Sequence, residues 1–187
     1  MFNLIQNFDS SLMYKAQELH NPILNNILIF FTKIGDLGLV WLLLALIFLF
    51  FKKTRKAGVL IYLSQLLNIT VVTILKNIIQ RPRPFLTLTD LHPLISLPTS
   101  YSFPSGHASS AFAGALIIAY IFRQWIIPAY LVSFTIAFSR VYLGVHYPSD
   151  IIVGAIIGTL SSITIILLYN KIISKKYINL IKKLKIE

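Results

Sequence analysis

The sequence predicts an all-α fold: a polytopic bundle of about six transmembrane helices plus an amphipathic N-terminal helix, in one domain over residues 1–187. Three observations predict it. Hydrophobic residues make up 56% of the chain and charged residues 12%, whereas a soluble domain is about half apolar and about a quarter charged. The apolar residues fall in runs that match or approach the ~30 Å hydrocarbon core of a bilayer. The charges gather at the ends of those runs.

Taken in order, residues 3–19 place Leu4, Ile5, Phe8 and Leu12, with Met13 or Ala16, on one helical face. That spacing suits a helix lying on a membrane surface, and equally a solvated helix packed on the bundle. The stretch 1–21 lacks the basic start and apolar run of a cleaved signal peptide. Pro22 opens an apolar run to Thr32, so residues 22–34 are either a sixth crossing or a half-embedded helix. Gly35-Asp36-Leu37-Gly38 is a break, and Leu39 to Phe51 is apolar throughout. Ala57 to Ile79 is long enough for a full span. It ends in Gln80-Arg81-Pro82-Arg83-Pro84, where the prolines oppose helix. Residues 85–104 hold Pro93, Pro98 and Pro104 and are expected to form an irregular loop outside the core. Helices are expected from Ser105 to Phe122 and from Ile126 to Tyr142. Ser149 is a candidate N-cap for a last span from Ile151 to Tyr169, in which Gly154 and Gly158 permit close helix packing.

The net charge of +11 raises the question of nucleic acid, and the positions of the charges answer it. Lys52, Lys53, Arg55 and Lys56 form one short loop, Arg123 marks a turn, and Lys171, Lys175, Lys176, Lys182, Lys183 and Lys185 fill a basic tail over 171–187. This is the pattern of basic residues that sets membrane orientation and touches anionic lipid. It puts the lysine clusters in the cytoplasm. The ends of 57–79 and 126–142 and the starts of 105–122 and 151–169 then lie on the extracytoplasmic side. With six spans, the N-terminus is inside. The chain has no cysteine, which excludes disulfides and thiolate metal sites.

Three segments converge on the extracytoplasmic side. Lys76 lies near the end of one helix and Arg83 just past it; together they suit a phosphate, or they are a snorkelling pair at a helix end. Ser105, Gly106 and His107 open the next helix, where backbone N–H groups point at anions. His107 is a candidate general acid there, or an interfacial histidine behind an N-cap serine. Arg140, His146 and Asp150 form the third. His146 and Asp150 are four apart, so the carboxylate can fix the imidazole tautomer and free the other nitrogen to attack. The plain alternative is an Arg–Asp pair with a packed histidine. Asp and Glu number only 6, and no carboxylate pair or His-rich spacing offers a divalent-metal site. No metal and no cofactor are expected.

These residues resemble the signature of the type-2 phosphatidic acid phosphatase superfamily of membrane lipid phosphatases. Lysine, six residues, then Arg-Pro matches Lys76 to Arg83-Pro84; Arg81-Pro82 lacks that gap and is a decoy. Pro-Ser-Gly-His matches Pro104 to His107, and Ser-Arg, five residues, His, three residues, Asp matches Ser139-Arg140, His146 and Asp150. The resemblance implies a phosphohistidine at His146, oriented by Asp150, with His107 as general acid and later base. Lys76, Arg83, Ser105, Gly106 and Arg140 hold the phosphoryl oxygens. The short chain is similar to family members that dephosphorylate undecaprenyl diphosphate at the outer face of the cell membrane. Phosphatidylglycerophosphate, phosphatidic acid and lipid A phosphate are the alternatives, since the motifs read phosphate and not the lipid tail. A non-enzymatic carrier of anionic lipid would use the same cations but would not need an oriented His–Asp pair.

Overall fold

The computed structural model describes residues 2–184, with side chains from residue 4 to 172. Among the described residues every regular element is helical: α1 (Phe2–Glu18), α2 (Pro22–Ile34), α3 (Leu39–Phe50), α4 (Arg55–Ile79), α5 (Gly106–Ile121), α6 (Ile126–Tyr142) and α7 (Pro148–Leu184), with short 3-10 turns at 36–38, 84–86 and 123–125. The basic tail expected over 171–187 lies mostly beyond the described side chains. No glycine or proline follows Tyr169, so α7 runs past the expected end to Leu184.

α5 is the hub. Its residues 108–115 are all buried, and it packs against α4, α6 and α7. Small residues let the backbones meet. A Cβ on Gly158 of α7 would collide with the Ser109 carbonyl of α5, and one on Gly154 would approach the Ser105 carbonyl to 2.6 Å. Buried hydroxyls bind the helices further: Ser162 donates to the Ala113 carbonyl at 2.7 Å, and Ser133 to that of Ala111 at 2.9 Å.

Three helical segments, Arg55–Leu86, Arg123–Tyr142 and Pro148–Ile172, are singly long and apolar enough to cross a membrane. α2 and α3 pass that test only together, through a bend of 47°. Alone, their 13 and 12 residues reach about 20 and 18 Å at 1.5 Å per residue. The break is built by Leu37 (φ 52) and Gly38 (φ 70), both in the left-handed region. A Cβ on Gly38 would also strike the Ser110 hydroxyl. α5, with 16 residues, is a shorter apolar helix.

The N-terminal helix has an inner and an outer face. Met13 (0% exposed) and Ala16 pack with Leu91, Val141 and Tyr147, while Leu4, Ile5 and Phe8 are exposed. Asp9 joins the inner face one turn before Met13 and is fully buried. Loop 85–104 is irregular apart from one 3-10 turn. It is tied to α1 by Gln17, whose side chain donates to the Asp90 carbonyl at 3.0 Å and accepts from His92 N at 2.7 Å.

Candidate active site

Lys76, Arg83, Gly106, His107, Arg140 and His146 line one cavity of about 620 Å³. Six of the eight residues singled out from the sequence therefore face a common space. Asp150 lies behind His146. Ser105 is fully buried and caps α5, accepting from Ala108 N at 3.4 Å. That contact leaves Ser105 outside the cavity wall, while Gly106, one residue on, forms part of it.

His146 sits in the turn between α6 and α7, 2% exposed. Its Nδ1 is 3.3 Å from Asp150 Oδ2, and its Nε2 is 3.2 Å from Arg83 Nη1. A guanidinium only donates, so Nε2 is the acceptor and the imidazole proton resides on Nδ1, toward Asp150. Burial holds the His146 imidazole well below its ordinary pKa; Asp150 opposes that shift, while Arg140 and Arg83 reinforce it. The ring is thus a neutral base with its lone pair on the cavity side.

Asp150 is the third residue of α7 and accepts from Tyr147 N at 3.0 Å, the reciprocal bond of a helix capping box. Ser102 donates to the same oxygen, Oδ2, at 2.5 Å. Ser149 is not the N-cap expected of it. α7 begins at Pro148, whose fixed φ suits a first helical position, and Ser149 is its second residue. Ser149 instead accepts from Arg81 Nη1 at 2.7 Å, and its backbone N donates to Asp9 Oδ1 at 2.9 Å.

Each cation has an anchor. Arg83 donates to the carbonyls of Ser100 and Val145, both at 2.7 Å. Lys76 donates to the Tyr101 carbonyl and, at 3.4 Å, to that of Ser102. Arg140 donates to the Thr32 hydroxyl at 2.5 Å, while its buried Nε has no partner. Among the described residues Asn68 Oδ1, also on the cavity wall, is likewise buried and unpaired. The third such atom among the described residues, Trp41 Nε1, lies off that wall; the two on it are free to pair with a polar ligand.

Two contacts escaped the sequence reading. His107 Nε2 donates to Asp36 Oδ1 at 2.8 Å. Asp36 was visible only as part of a helix break, and nothing in local spacing joins it to a histidine 71 positions away. Arg81, set aside as a decoy, donates to Asp150 Oδ1 at 2.7 Å and to Asp9 Oδ2 at 2.7 Å. Its guanidinium also lies 3.9 Å over the Tyr147 ring. The repeated Arg-Pro was the signal available for it: Gln80 (φ 49) ends α4 in a left-handed turn, after which Arg81 takes Asp150 and Arg83 takes His146.

Residues 38–174 match the family model described as the PAP2 superfamily. An undecaprenyl-diphosphatase of Sulfolobus acidocaldarius is 36% identical over 141 residues, 73% of this chain and 66% of that relative. The crystal structure of Aquifex aeolicus LpxE superposes with a TM-score of 0.77 at 28% identity, covering 85% of this chain and 94% of that one. That of a PAP2-type phosphatidylglycerolphosphate phosphatase from Bacillus subtilis gives 0.75 at 27% identity, covering 91% and 88%.

Proposed function

The chain belongs to the PAP2 superfamily and is a phosphoric ester hydrolase; on that premise we propose that it is a metal-independent lipid phosphatase working through a phosphohistidine at His146. The observation that carries this reading is the orientation of His146, with Nδ1 toward Asp150 and Nε2 toward Arg83 and the cavity. A site that only bound anionic lipid would have no use for a nucleophile held in this way.

In the first step the Nε2 lone pair forms an N–P bond as the P–O bond to the leaving group breaks. The bonding pair departs with that oxygen, and His107 supplies its proton. Lys76, Arg83 and Arg140, with the backbone at Gly106, offset the charge on the remaining phosphoryl oxygens. Water then attacks phosphorus and gives a proton to His107, and the N–P pair returns to Nε2 as phosphate leaves.

The lipid character of the substrate is supported by the rest of the cavity. It continues from the cations along α4 and the start of α3, past Leu42, Leu66, Ile69 and Val72. Leu66 and Ile69 are half exposed on the flank of the bundle. Undecaprenyl diphosphate is the preferred substrate, supported by the 36% identical undecaprenyl-diphosphatase. Phosphatidylglycerophosphate, phosphatidic acid and lipid A phosphate are the alternatives. The reaction takes place at the extracytoplasmic face of the cell membrane, a placement supported by the lysines of 52–56 at the opposite ends of the helices.

The test is phosphate release by purified protein in chelator across a panel of these lipids. Undecaprenyl diphosphate should be turned over fastest, and His146→Ala should abolish release. Turnover surviving His146→Ala would overturn the nucleophile assignment.

A further inference from the structure

The family match begins at residue 38, yet a carboxylate from α1 reaches the nucleophile's support. Asp9 is 0% exposed. It accepts from Arg81 Nη2 at 2.7 Å, from the Ser149 backbone N at 2.9 Å and from the Ser149 hydroxyl at 2.5 Å. Arg81 is thereby held between two buried carboxylates, one nitrogen on each. The Tyr147 ring beneath its guanidinium closes the third side. Asp150 uses Oδ1 for Arg81, which leaves Oδ2 for His146, Ser102 and Tyr147 N.

We propose that Asp9, on the N-terminal helix, is a positioning residue for the reaction, acting through Arg81 and Ser149 to hold Asp150, and through it His146, in the attacking geometry. The physical argument is geometric. A carboxylate that must present one particular oxygen to an imidazole needs its other oxygen tied. A planar guanidinium ties it in one orientation only when its second nitrogen is tied as well. Asp9 supplies that second tie. Its negative charge also balances Arg81, so that Asp150 keeps enough charge to stabilise the His146 ring as positive charge develops on it.

The packing of α1 fits the role. Asp9, Met13 and Ala16 form a single buried stripe, and Gln17 continues the attachment onto loop 85–104, which also carries Ser102. The charged groups facing His146 come from every element around it: Asp150 of α7, Arg140 of α6 and Arg83 after α4 are the ones that act on it electrostatically. Lys76 of α4, His107 of α5 and Asp36 of the α2–α3 break stand around the same cavity. From α1, Asp9 reaches His146 only through Arg81 and Asp150.

The inference rests on His146 being the nucleophile, so the experiment separates the two. Asp9→Asn and Arg81→Lys are compared with wild type and His146→Ala in purified full-length protein, each normalised to its folded fraction. Loss of geometry in such a support costs about 10- to 100-fold in kcat. Both substitutions are expected to lower kcat on that scale with KM little changed. In Asp9→Asn the charge of Arg81 is balanced by Asp150 alone, which weakens the hold of Asp150 on a proton at His146, so the acidic limb of the kcat profile should move to lower pH. Arg81→Lys keeps the charge but cannot bridge two carboxylates, so it should retain more activity than Arg81→Met. Unchanged kcat and an unchanged acidic limb in folded Asp9→Asn would overturn the inference while His146→Ala remained inactive. A loss of folded protein with full kcat in the remainder would overturn it too. Should Asp9→Asn fail to accumulate, Asp9→Glu, which keeps the charge on a longer arm, decides by the same kcat criterion.

Discussion

The two histidines of the site are held by carboxylates of different kinds. His146 meets a fully buried Asp150 within one turn of chain, whereas His107 meets Asp36, whose side chain is 58% exposed. Since burial and the two arginines depress its pKa, His146 should keep its nucleophilic lone pair below pH ~6.5, the ordinary imidazole value. Lowering the pH protonates Nε2 and removes the nucleophile. The depressed pKa moves that loss to more acidic solution, so the acidic limb of the rate profile should fall below ~6.5. A limb at or above that value would contradict the burial argument. For His107, Asp36→Asn should slow release of poor leaving groups by about tenfold, well within what general acid catalysis supplies. An aryl phosphate with a good leaving group should respond much less. Equal losses on both would argue that Asp36 serves the fold alone.

At the scale of elements, the site depends on how helices end and touch. α4 ends in a left-handed residue and a Pro-rich strap that sends one arginine to each member of the His–Asp pair. α5 and α7 begin side by side, with Ser105 N donating to the Asp150 carbonyl at 3.1 Å, so the cavity-lining start of α5 and the segment that carries His146 and Asp150 share a backbone bond. Gly154 and Gly158 make this possible. Gly158→Val should force α7 away from the Ser109 carbonyl. Overpacking of this kind costs about 1–3 kcal/mol, to be seen as a lower unfolding temperature in detergent. A stability equal to wild type would mean that α7 does not need this close approach. The break between α2 and α3 is of the same kind. Leu37 holds a left-handed conformation that costs a non-glycine residue of order 1–3 kcal/mol, and the residue next to it in the chain is the partner of His107.

For the whole molecule, the consequence concerns sides. α1 rests on the end of the bundle that carries the site, through Asp9 and Gln17. α2 and α3 are long and apolar enough to cross only as a pair bent by 47°. The N-terminal helix is therefore expected on the same side as loop 85–104, in place of the cytoplasmic N-terminus that six crossings imply. The chain has no cysteine, so single cysteines report without background. Ser11→Cys and Thr99→Cys, both at exposed positions, should label from outside intact cells. Lys53→Cys should label only after permeabilisation. Labelling of Ser11→Cys together with Lys53→Cys would restore the six-crossing topology.

By itself the sequence determined the helical class, the runs apolar enough for a membrane and the candidate site residues, because these are written in spacing along the chain. The four-residue step from His146 to Asp150 and the six-residue gap from Lys76 to Arg83 survive whatever the rest of the fold does. Tertiary structure alone decided the supports. Asp9 and Arg81 are 72 positions apart, and Asp36 and His107 are 71 apart. Neither pair has a local signature, since each exists only because segments distant in the chain were folded together. Ser105 and Ser149 show the same division. Both were legible as helix-start residues; Ser105 caps α5 locally, through Ala108 N, whereas the partners of the Ser149 hydroxyl, Arg81 and Asp9, were set by the packing of α1 against α7. The reason is the cost of burying a charge unpaired. Asp9, Asp150 and Arg81 are stable in the interior only together, and that requirement is met in space and leaves no periodicity in the chain.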